Sequence, residues 1–138
     1  MSHKIIRSLL EGRLKTWAAA RSPVLQIAYQ NVAFTPTANE IYLRAFALPA
    51  GTSSNDLAGV HRLYTGVFQI TIVTPVGGGP GAAETLADEL AALYPLNDQL
   101  TKEGFSVKVM TPVEQGPEQQ EDTAFALPVS FQYRADTF

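Results

Sequence analysis

Residues 63–73 read LYTGVFQITIV, and their alternation decides the fold class. Tyr64, Gly66, Phe68, Ile70 and Ile72 point one way, while Leu63, Thr65, Val67, Gln69, Thr71 and Val73 point the other. This is the period-two pattern of a strand laid on a core. Gly66, inside such a run, marks a bulge or a close backbone approach. Upstream, Ile41 to Leu48 alternates with apolar residues on both sides, which predicts a strand covered on two faces, or on one face by another subunit. Val24 to Tyr29 is long enough for one further strand. Between 41–48 and 63–73 lies PAGTSSNDLAGVHR, residues 49–62, whose only bulky apolar side chains are Leu57 and Val60. A connection that long points to a binding loop, a lid or disorder.

Outside this centre the periodicity changes. Ile6, Leu9, Leu10, Leu14, Trp17 and Ala18 fall on one face of a helix over His3–Ala20, with Ser2 as the candidate cap and Pro23 as the stop. After the glycine turn TPVGGGPG at residues 74–81, a second helix over Ala82–Tyr94 carries the apolar stripe Ala83, Leu86, Ala87, Leu90, Leu93 and Tyr94, and Pro95 ends it. Phe105, Val107 and Val109 alternate in a fourth strand. Phe125, Leu127, Val129, Phe131 and Tyr133 alternate in a fifth, where Pro128 removes a donor and so predicts an edge position or a bulge. The expected fold is α+β, a mainly antiparallel or mixed sheet of about five strands with two helices packed on it, in the order α-β-β-β-α-β-β. Local patterns leave the strand order open.

The 138 residues are read as one domain, 1–138, large enough to bury about 68% of the extended chain's surface. There is no cysteine, which removes disulfides, thiolate metal sites and cysteine nucleophiles together. His3 and His61 are the only imidazoles. The amino-terminal helix is broken by charges and is no secretory leader, and no window reaches the roughly 20 apolar residues of a membrane span. Charge is unevenly divided: residues 1–21 hold Lys4, Arg7, Arg13, Lys15 and Arg21 against Glu11 alone, while the remainder carries net −7 within an overall −3. A pI near 5.3 argues against a dedicated duplex binder and no specific nucleic-acid binding is expected, whereas a basic helix against an acidic neighbour fits self-association.

Chemistry finds little support. Gly77, Gly79 and Ala82 satisfy a degenerate G-x-G-x-x-A between a strand and a helix, but Pro80 removes an amide and no Gly-Lys-Ser/Thr follows. The glycine turn at residues 77–81 therefore carries the alternative reading, a small ligand-binding or enzymatic domain, and its plainer reading is a flexible connection. No nucleophile elbow occurs, and Glu114, Glu118, Glu121 and Asp122 sit in a Pro/Gln/Gly-rich stretch typical of a solvated loop. His61, Arg62 and Asp56 are titratable groups gathered in the long loop. Neither catalytic residues nor a cofactor nor a metal is expected.

The stretch Phe46 to Pro95, FALPAGTSSNDLAGVHRLYTGVFQITIVTPVGGGPGAAETLADELAALYP, resembles the tail terminator proteins of long, non-contractile-tailed bacteriophages, the lambda-like minor tail protein U group and its small prophage relatives. The opening basic helix and the closing PVSFQYR strand are similar to that family too. The resemblance implies a structural, non-enzymatic protein of the virion tail, assembled in the host cytoplasm without a cofactor. It implies a ring, typically a hexamer, that binds the end of the tail tube, stops its polymerisation and presents a surface for head attachment. Its partners would be further copies of itself, the major tube protein and a head-completion or connector protein. Within that frame Ser54, Asn55, Asp56, His61 and Arg62 are the residues expected to meet the tube. Arg7, Arg13 and Lys15 are expected at a subunit interface or in the lumen.

Overall fold

A computed structural model describes residues 3–21, 24–36, 40–54, 57–120 and 124–137. The expected cap Ser2 and stop Pro23 lie outside these described residues. The elements run α1 (His3–Ala19), β1 (Gln26–Tyr29), β2 (Tyr42–Ser53), β3 (Arg62–Pro75), α2 (Gly81–Leu93), β4 (Gln99–Lys102), β5 (Phe105–Val109), β6 (Glu114–Gln115), β7 (Gln119–Gln120) and β8 (Ala124–Thr137). The fold is α+β with two helices, as the patterns predict, but the sheet has more strands than about five. Its path is β1-β2-β3-β8-β5-β4, with β6 and β7 also on β8. β1 joins β2 in parallel and every other pairing is antiparallel.

The sheet's centre is the β3–β8 ladder, which pairs Arg62 with Thr137 at one end and Pro75 with Ala124 at the other. Phe68, Ile70 and Ile72 of β3 and Leu127, Val129, Phe131 and Tyr133 of β8 are buried together on the helix side. β2 adds Leu43 and Ala45 to that side. On β2's opposite side Phe46 is half-buried and Leu48 exposed, so the second apolar face is only partly covered within the chain.

Helix α1 contacts both outermost strands, β1 and β4, so the sheet curls until its two edges flank one helix. Ile6, Leu10, Leu14 and Ala18 are buried along it, the i, i+4 stripe of a core-facing helix. Full burial of each of the three larger side chains is worth about 1.5–3 kcal/mol. Polar bonds fix the helix in register. The buried Tyr94 hydroxyl, just past α2, donates to the Leu10 carbonyl at 2.7 Å. Arg13 Nη1 donates to the Leu93 carbonyl at 3.0 Å and pairs with Asp98, so a cation closes the carbonyl end of α2, where the helix dipole favours it. Lys102 Nζ on β4 reaches Ser8 Oγ at 3.1 Å.

Three departures from the sequence expectation have local causes. β4 and β5 form a hairpin across Glu103 and Gly104, both at positive φ (54° and 76°), the geometry of a two-residue primed turn. Glutamate at positive φ gives no turn signal in the sequence. β8 is not an edge strand, since β3 lies along one side and β5, β6 and β7 along the other. Pro128 is tolerated there because its carbonyl, accepting from Gly116 N at 2.7 Å, faces the β6–β7 flank. A residue's missing N–H points the same way as its carbonyl, so the gap falls between two short strands and spares the β3 ladder. The third departure is the loop 49–62, which is shorter than its sequence implies because both its ends are strand: β2 continues to Ser53 and β3 begins at Arg62.

Gly66 is the close approach that its position implied. A Cβ there would lie 2.3 Å from the Tyr133 hydroxyl and 2.7 Å from the Leu48 carbonyl, while the β2 register shifts opposite it between Pro49 and Gly51. The Tyr133 ring thus occupies the space a side chain would need. Gly66→Ala is expected to cost about 1–3 kcal/mol, read as a lowered midpoint in urea with the slope unchanged.

Burial holds the Tyr94 phenol above its usual ionisation range, and the nearby Arg13 charge only partly opposes this. The unfolded chain therefore releases this proton near pH 10 and the folded chain does not, so stability is full below pH 10 and falls above it. The loss is up to about 1.4 kcal/mol per pH unit from this group. Tyr94→Phe should cost about 1 kcal/mol at pH 8 and give a shallower loss between pH 10 and 11.5 in urea titrations.

Candidate functional site

The feature that stands away from the core is the far end of the β2–β3 hairpin. Residues 48–54 are exposed on β2, while Ser53, Thr52 and Gly51 pair with Leu63, Tyr64 and Thr65. β8 backs this extension, with Asp136 and Ala135 opposite Leu63 and Tyr64. A third strand makes it a supported arm where an isolated two-stranded ribbon would be marginal. The bulge at Pro49–Gly51 adds local twist as the arm leaves the body.

At the arm's tip the backbone turns through Gly59 at φ 71°, Leu57 is fully exposed and Val60 is exposed. His61 is only 6% exposed, and its Nε2 lies 3.2 Å from Asp136 Oδ1. Asp136 also accepts from Arg134 Nε at 3.3 Å, so a residue near the carboxyl end of the chain anchors the tip. Arg62 folds back, donating to the carbonyls of Gly59 and, at 2.9 Å, His61. Of the residues expected at a tube surface, Ser54 is exposed on the arm and Asn55 and Asp56 lie outside the described residues. His61 and Arg62 hold the tip's shape. The aliphatic pair Leu57 and Val60 carries the exposed apolar surface.

The base of the arm is tied to α1. His3 packs edge-on against Tyr64 at 5.1 Å between ring centroids, and its Nδ1 lies 3.2 Å from the Tyr133 hydroxyl. Along α1, Arg7 and Lys15 are exposed, whereas Arg13 is taken up in the Leu93 and Asp98 contacts. Arg7 stands 4.0 Å from Glu11, whose carboxyl burial pushes above its usual range against the opposing pull of Arg7.

The glycine turn offers poor ground for a phosphate. Gly77 and Gly79 adopt positive φ, and the hollow of about 400 Å³ beside them is lined by Pro75, Pro80, Phe125 and the Glu118 carboxylate, without a cation. Pro80 caps α2 without a side-chain hydrogen bond. Among the described residues no group of three or more His, Asp or Glu lies together as a metal site, and no helix is long and apolar enough to cross a membrane.

A family model described as phage tail terminator protein matches residues 5–133. A solved structure with 44% sequence identity superposes with a TM-score of 0.85, covering 100% of this chain and 98% of that one. No curated protein sequence matches. The matched span takes in nearly all of α1, the hairpin arm and β8 to Tyr133.

If the His61–Asp136 contact sets the order of the tip, His61→Ala should speed trypsin cleavage after Arg62 several-fold. The global cost should stay near 1 kcal/mol, because local opening and global unfolding are separate events. An unchanged cleavage rate would mean that other contacts hold the tip.

Proposed function

The chain belongs to the phage tail terminator family, a structural family of the virion tail, and from that premise we propose that it caps the tail tube as a hexameric ring. The arm is the part of each copy that engages the last tier of tube subunits. Leu57 and Val60 supply apolar contact, Ser54, Asn55 and Asp56 are assigned its polar surround, and His61 and Arg62 hold the tip in shape. Growth stops because the ring covers the surface to which the next tube subunit would add and does not reproduce it. The opposite side of the ring is then left for the head-completion or connector protein.

The single observation that carries this reading is the supported, outward arm. It ends in Leu57, the most exposed large apolar side chain among the described residues, with Val60 exposed beside it. No step of the proposed action makes or breaks a covalent bond, and none needs a cofactor. Arg7 and Lys15 are assigned to contacts between copies or to the lumen, with Arg13 fixing the helix that carries them.

The test is polymerisation of purified tube subunit with and without this protein. Stoichiometric addition per tube end should arrest elongation and narrow the length distribution seen by electron microscopy. Replacing residues 54–61 by a short Gly/Ser turn should abolish arrest while leaving the thermal midpoint within a few degrees. Tubes of the same length with and without the intact protein would contradict the capping role.

A further inference from the structure

The uneven charge of the sequence becomes spatial in the fold. On the outward side of α1 lies a groove of about 570 Å³, with Lys4, Arg7 and Lys15 along the helix against the single carboxylate of Glu11, 4.0 Å from Arg7, and with Tyr29 to Val32 forming its other wall. Gly12 lies in it, and a Cβ added there would meet nothing within 4 Å. Mid-helix glycine is a poor helix former, and packing within the chain does not require it here. Such a position leaves room for another backbone to come close.

The complementary surface lies on the other flank of the sheet. From Val109 to Tyr133 the sequence holds Glu114, Glu118, Glu121 and Asp122 and no Lys, Arg or His. Of these, Glu114 and Glu118 lie on the exposed β6–β7 segment, and no ion pair among the described residues holds either. β6 and β7 pair with β8, whereas the groove lies beside β1, with β2 and β3 in between. None of the residues lining the groove comes from the acidic segment. A basic groove and an acidic projection on different flanks of one chain are the two halves of a heterologous contact. Such a contact closes into a ring when the rotation between copies allows it.

We infer that the acidic β6–β7 segment, Glu114–Gln120, of one copy docks in the basic α1 groove of the next. This inference rests on the ring reading above and names the surfaces that form it. Because the contact is between charged and partly solvated groups, it is sensitive to salt and weakens as the screening length shrinks below about 8 Å. The basic helix is therefore a receptor for a second copy of this chain.

Charge exchange tests this in the full chain. Arg7→Glu with Lys15→Glu reverses the groove, and Glu114→Lys with Glu118→Lys reverses the segment. Each double variant alone should weaken self-association by about tenfold or more, read by sedimentation over a concentration series at low salt, with circular dichroism checking the fold. Mixed in equal amounts, the two variants should assemble to within a few-fold of wild type, since every contact in an alternating ring again joins opposite charges. Recovery on mixing also shows that neither variant was lost to misfolding.

Wild-type assembly by both variants alone, or no recovery on mixing two folded variants, would overturn the inference while leaving the ring itself standing. A groove variant that assembles normally but loses salt-sensitive binding to duplex DNA would reassign the groove to nucleic acid. If the wild-type chain forms no oligomer, alone or on tube ends, the ring reading fails first, before any variant enters.

Discussion

The seat of α1 between the two outermost strands is the constraint on which the rest of the molecule depends. A six-strand path with β1 and β4 at its ends has two exposed rows of backbone donors and acceptors, a standing invitation to uncontrolled pairing. Curling the sheet until both edges flank one amphipathic helix removes much of that hazard. It also gives Ile6, Leu10 and Leu14 a complete apolar surround. The register of the helix is set by polar bonds to two elements: Tyr94 and Leu93 at the carboxyl end of α2 meet the Leu10 carbonyl and Arg13, and Lys102 on β4 meets Ser8. Each partner is itself fixed by the sheet or by α2, so the helix cannot slide without breaking bonds to both elements at once.

With the interior closed in this way, what remains for partners lies at the periphery. The arm leaves the body where Gly66 lets the Tyr133 ring sit directly on the β3 backbone, and His3 at the start of α1 packs against that cluster. The arm is thus coupled to the helix at its base and to β8 at its tip. An arm paired on three strands suits the proposed capping of a polymer end, because backbone already held in a sheet loses less ordering entropy on docking. The acidic β6–β7 segment and the outward face of α1 are peripheral in the same sense. Both are built from residues other than those of the arm's tip, so the proposed contacts to the tube and between copies use different surfaces.

Much of this was legible in the residues. The alternations in 63–73 and 125–134 identify both central strands and the faces they bury, and the spacing of Ile6, Leu10 and Leu14 identifies the helix that closes the core. The illegible parts share a cause, that their structure is decided by a partner distant in sequence. Pro49 to Ser53 carries no strand pattern and is strand because β3 and β8 continue beneath it. Pro128 reads as an edge marker, and only the gap between β6 and β7 makes it acceptable in a central strand. β6 and β7, two residues each, are too short to show any period. In the candidate site, His61 was recognisable as a titratable group in a loop. Its role as an anchor requires Asp136, which is distant in sequence, and the exposure of Leu57 and Val60 beside it is a property of the folded tip.

As proposed, the protein acts at one end of the tail tube and nowhere along it. The most direct measurement is electron microscopy of assembled tails carrying this protein with a gold-binding tag at its amino terminus. Capping by a ring would confine label to the head-proximal end, in a single tier, on tails of uniform length. Label distributed along the tube, or at the opposite end alone, would contradict it.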